Sequence, residues 1–79
     1  MNTIQSQWEL FQKMAIPEGA HPEQIIDMKR SFYAGAAAYV QLQFQITDDS
    51  ISDEAGQQMF AALMEEIHGY VSLVNAGHA

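Results

Sequence analysis

The 79-residue chain has no cysteine, two prolines, one tryptophan and three basic side chains. Without cysteine, disulfide staples and thiolate metal sites are excluded, while the compartment is left open. Lys13, Lys29 and Arg30 are too few to displace the counterions that cover a nucleic-acid backbone, and ten acidic residues bring the formal charge to −7. The same imbalance repels anionic membranes. No stretch approaches the roughly 20 apolar residues needed to cross a bilayer. The opening "MNTIQSQWELFQ" lacks a basic segment followed by an unbroken apolar run, so no secretory signal is expected. A cytoplasmic chain is the resulting expectation.

What is present is helical periodicity. Ile4, Trp8, Phe11 and Ala15 recur on one face of a first helix over residues 3–15, with Leu10 and Met14 widening it. Ser6 with Glu9 fits a capping box, and Thr3 fits the start equally well. Pro17 closes the segment, because the residue before a proline is pushed out of helical geometry. Pro22 then suits the first position of a second helix, where its missing N–H has no partner to lose. Residues 22–46 carry one stripe of Ile25, Met28, Phe32, Ala36, Tyr39 and Ile46. A neighbouring stripe is made of Ile26, Tyr33, Ala37, Val40 and Phe44. At 1.5 Å per residue that helix is roughly 37 Å long.

A third helix is predicted over 52–74, opened by Ser50 or Ser52 and ended by Asn75 and Gly77, with the terminal residues fraying. Ala55, Met59, Leu63, Ile67, Tyr70 and Val74 form its stripe, with Phe60 and Val71 beside it. The pattern predicts an all-α chain and one domain, 1–79: an antiparallel hairpin of the two long helices plus a short N-terminal helix. In such a hairpin, facing residue numbers sum to about 99, and the Gly35–Ala36 gap lies opposite Leu63 and Met64. The small residues Ala34, Gly35 and Ala38 within "SFYAGAAAYV" then read as a socket for a close helix crossing or for a second protomer in a homodimeric bundle. A chain this short buries little surface alone, which favours association.

Chemistry is sparse. Glu65 and His68 have the i, i+3 spacing of a di-iron half-site, but no second pair accompanies them. From Asp48 or Asp49, the sixth and twelfth positions of a calcium loop do not fall on glycine and glutamate. There is no nucleophile elbow and no phosphate loop. No cofactor, metal site or catalytic residue is expected, and the chain is read as a non-enzyme. Asp48, Asp49, Asp53 and Glu54 gather where the third helix starts and suit the positive end of its dipole. Their plainer role is a solvated helix start. Their sharper one is an acidic surface for a basic partner, with Arg30 and Tyr33 as candidate anchors.

Trp8, Phe11, Pro17 and the block from Met28 through Lys29, Arg30, Phe32, Tyr33, Ala34, Gly35 to Ala36 resemble a family of small uncharacterised proteins encoded by bacteriophages and prophages. Those chains similarly join a Trp-x-x-Phe helix to a Met-(Lys/Arg)-Arg-x-Phe-Tyr-Ala-Gly-Ala block. The resemblance spans residues 8–38 and carries no assigned activity. It implies a phage-type protein in the cytoplasm of a bacterial host. Such a protein is expected to bind and modulate or inhibit a host or defence complex, and the acidic residues of this chain suit a basic, nucleic-acid-binding surface of that complex. The alternative it leaves is a homodimeric structural or assembly accessory of a phage.

Overall fold

The computed structural model describes residues 2–78 and is all-α, with no strand among them. Three helices follow in order: α1, Ile4–Ala15; α2, Pro22–Ile46; and α3, Asp53–Asn75. The chain forms two compact units, Met1–Gln41 and Leu42–Ala79.

In the first unit, Thr3 caps α1 through a reciprocal pair of bonds. The Ser6 N–H donates to Thr3 Oγ1 at 3.0 Å, and the Thr3 N–H donates to Ser6 Oγ at 3.0 Å. Two of the N–H groups that a helix start leaves without intrahelical partners are thereby satisfied. At the other end Ile16 is extended, with ψ 122°, as the following proline requires. His21 prepares α2: its Nδ1 accepts from the Glu23 N–H at 3.3 Å, and its carbonyl accepts from the Ile25 N–H at 3.1 Å. Pro22 begins the helix between them.

The core of this unit is aromatic. Trp8 is 2 % exposed and Ile16 is 9 % exposed. Trp8, Phe11 and Phe32 form a triangle with centroid separations of 5.8, 5.5 and 5.4 Å, within the range where tilted and edge-on rings attract. The Tyr33 hydroxyl donates to Gln5 Oε1 at 2.9 Å and adds a polar tie between α1 and α2. Helix α1 thus packs on α2 of its own chain. The α1 face is narrower than its sequence suggests, since Leu10 and Met14 are 53 % and 86 % exposed.

In the second unit, Asp48 Oδ1 accepts from both the Ser50 N–H at 2.8 Å and the Ser50 hydroxyl at 2.6 Å. Ser52 caps α3, accepting from the Ala55 N–H at 3.2 Å. This turn brings the first turn of α3 back against the last turn of α2: a Cβ added to buried Gly56 would lie 3.1 Å from the Ile46 carbonyl oxygen. The close backbone approach within this unit is therefore at Gly56. At Gly35, in the first unit, the residue is exposed and an added Cβ meets nothing within 4 Å.

Of the terminal residues expected to fray, Ala76, Gly77 and His78 make backbone hydrogen bonds to α3, and Ala79 lies outside the described residues. The Gly77 N–H donates to the Val74 carbonyl at 3.0 Å, and the His78 N–H donates to the Leu73 carbonyl at 2.9 Å. With Gly77 at φ +78°, this is a Schellman termination, and it needs the left-handed backbone that glycine adopts without steric cost.

Candidate interaction surfaces

The acidic residues lie around the turn that opens α3. Asp48, Asp49 and Asp53 line one concave surface of about 620 Å³ with Gln43, Thr47 and Gln57. Glu54, in the first turn of α3, is exposed and does not line it. The hydrogen bonds from the Ser50 hydroxyl, and then from its N–H, hold the Asp48 carboxyl below the ordinary carboxylate range. Asp48 therefore stays ionised to lower pH than a free aspartate. Its charge also organises the loop before it can attract anything, which is the structural role of an Asx turn.

Arg30 and Tyr33 belong to the first unit. They line a shallow surface with Ile26 and Lys29. Arg30 Nη1 lies 3.8 Å from Asp27 Oδ1, with both side chains more than three-quarters exposed. An exposed pair of this kind contributes between nothing and about 1 kcal/mol. The Lys29 ammonium sits 5.9 Å from the centre of the Tyr33 ring. The result is a small cationic and aromatic patch within an acidic chain. The strip Ala34, Gly35 and Ala38 is exposed along α2.

One surface of the first unit was not singled out by sequence reasoning. Phe11, Met28 and Phe32 floor an open groove of about 680 Å³, and His21, Glu23 and Asp27 stand at its rim. Glu23 and Asp27 are four residues apart on α2 and so share a face, a spacing that was legible in the sequence. Their pairing with the aromatic floor depends on how α1 docks, which no local pattern encodes.

Among the described residues, no group of three or more His, Cys, Asp or Glu side chains could hold a metal ion. No helix there is long and apolar enough to cross a membrane. The dominant feature is uncovered apolar surface. Trp8 and Ile16 are the buried hydrophobic side chains of the described residues, whereas sixteen large apolar residues between Ile4 and Val74 are 37 to 86 % exposed and others, such as Phe32, Tyr39 and Leu63, are half-buried. No family model matches the chain, and no curated protein or solved structure matches it significantly.

Proposed function

We infer that the chain is a non-catalytic protein–protein interaction module that binds and modulates a host protein complex in the bacterial cytoplasm. The observation that carries this reading is the exposed apolar surface, since contiguous uncovered patches on a small helical scaffold mark sites of association. The acidic turn supplies electrostatic selection. Asp48, Asp49, Asp53 and Glu54 suit a basic groove of the kind that holds nucleic acid, and charge of this sort governs association rate and partner choice more than affinity. Arg30 and Tyr33 offer a second contact of opposite character. The resemblance of residues 8–38 to phage-encoded proteins supplies the context, with a host defence complex as the target class.

The test is a tagged pulldown from host cells expressing the chain, followed by a binding titration against the recovered complex at increasing salt. A single host complex at near-equal amounts supports the reading. Affinity that falls steeply with salt, and weakens in Asp48→Asn with Asp53→Asn, assigns recognition to the acidic turn. Recovery of the chain alone, or only with phage proteins, favours the second reading, a homodimeric phage assembly accessory. The exposed small-residue strip Ala34, Gly35 and Ala38 is what recommends that alternative.

A further inference from the structure

The groove over Phe11, Met28 and Phe32 is made by the first unit alone, with α1, His21 and the start of α2 as its walls. Phe11 is 37 % exposed, and Met28 and Phe32 are half-buried, so apolar floor is left uncovered. The two rings stand 5.4 Å apart and each packs against Trp8, which gives the floor a fixed shape. At the rim, Glu23 and Asp27 lie one helical turn apart, about 6 Å along α2. Asp27 meets Arg30 at 3.8 Å with both side chains more than three-quarters exposed, so its charge stays accessible. No ion pair holds Glu23 among the described residues.

We propose that this groove docks a segment of a basic partner protein in which an arginine stands beside an aliphatic side chain. The aliphatic group seats on Phe11, Met28 and Phe32, and the guanidinium pairs with Asp27 and Glu23. Arginine suits the site better than lysine, because its planar fork matches a carboxylate and also stacks on an aromatic ring. The inference rests on partner binding as the function of the chain and adds to it a surface of the first unit and the chemistry of the segment it takes.

Charge decides between occupants. From Leu42 to Ala79 there is no lysine or arginine, and Asp48, Asp49, Asp53, Glu54, Glu65 and Glu66 are all acidic. That part of the chain has no guanidinium to bring to the rim. A second copy carries a formal charge of −7 and approaches against net repulsion. An apolar occupant without a cation would cover Glu23 and Asp27 and leave them unpaired, which desolvates charge without compensation. A basic protein meets none of these obstacles, and the field of the chain speeds its arrival.

The test is an amide NMR titration of the full chain with the capped peptide Arg-Leu-Leu-Arg-Ala. Shifts are expected at Phe11 and over residues 23–32, with a Kd on the order of 100 µM. Asp-Leu-Leu-Asp-Ala lacks the cation and Arg-Ser-Ser-Arg-Ala lacks the apolar anchor, and each is expected to bind at least about tenfold more weakly. Glu23→Gln with Asp27→Asn is expected to weaken the first peptide by about tenfold, with helicity unchanged by far-UV circular dichroism. Glu65→Gln with Glu66→Gln removes the same charge elsewhere and is expected to change affinity by less than about twofold. Shifts confined to residues 47–54, a rim variant that binds like the wild type, or no saturation by about 1 mM peptide would each overturn the assignment. The pulldown fails separately: a host complex recovered equally by the wild type and by the rim variant sustains partner binding and removes the groove from it.

Discussion

Replacing Trp8 by alanine removes the most deeply covered large side chain of the described residues, at 2 % exposure. An indole of about 230 Å² at 25 cal/mol per Å² gives roughly 5–6 kcal/mol as an upper bound, because the unfolded chain already hides part of that area. A reduction of 10–40 % for that compactness leaves about 3.5–5 kcal/mol. Measured tryptophan and phenylalanine truncations in cores span about 3–5 kcal/mol, so two routes converge. Part of the loss is specific to ring contacts, since Trp8 touches Phe11 and Phe32 at 5.8 and 5.5 Å. A chain of this length holds only about 4–12 kcal/mol in all. Trp8→Ala should therefore lower the urea midpoint by several molar or leave the first unit unfolded in water, given a slope near 1 kcal/mol per molar. Urea titration followed by far-UV circular dichroism reads the change. Met14→Ala is the control, because Met14 is 86 % exposed and should shift stability by less than about 0.5 kcal/mol. If the two variants unfold at the same midpoint, the aromatic triangle is not the core of the first unit.

Four further outcomes follow from local geometry. Thr3→Ala breaks a reciprocal cap and should cost about 1 kcal/mol, read as faster amide exchange in the first turn of α1; unchanged exchange would refute the cap. Gly35→Ala should stabilise by up to about 1 kcal/mol, because its Cβ meets open space and alanine is the better helix former. Gly56→Leu should instead destabilise by about 1–3 kcal/mol against the Ile46 carbonyl, and thermal melts that rank the two sites the other way would refute the assignment. Ser50→Ala should raise the Asp48 pKa toward its ordinary value, read by carboxyl NMR titration. Because the folded value is depressed, the stabilising contribution is present above the ordinary carboxylate range and is lost as pH falls through the folded pKa. A titration curve that does not move would show that the Ser50 hydroxyl is not its cause.

The helix boundaries were legible because their causes are local. Thr3, Pro17, Pro22, Ser52 and Gly77 each act within a few residues of chain, and α2 spans 22–46 as its periodicity predicts. The half-buried stripe of α2, from Ile25 through Phe32 and Ala36 to Ile46, also follows the sequence. The two glycines show where legibility ends. Gly35 sits among alanines and looks like a crossing point, while Gly56 follows an acidic turn and looks unremarkable. The approach of Gly56 to Ile46 needs the turn at 47–52, which the Asp48–Ser50 bonds hold. Helix α3 makes the same point with side chains. Its period correctly groups Ile67, Tyr70 and Val74 on one face, but period reports which residues share a face and not what covers it. These residues are 44 to 60 % exposed. Candidate site residues divide similarly: Asp48, Asp49 and Asp53 line one surface as neighbours in sequence, whereas the groove over Phe11 and Phe32 needs two helices to exist.

The same exposure connects stability to association. Folded units near 40 residues usually require a disulfide, a metal or a partner, because too little of their surface can be buried. The unit Leu42–Ala79 is in that range, the chain has no cysteine, and no metal-holding cluster occurs among the described residues. Of the three routes, association is the one its composition leaves open. Four of its acidic residues gather around the start of α3, while Glu65 and Glu66 lie in the second half of that helix beside its exposed apolar residues.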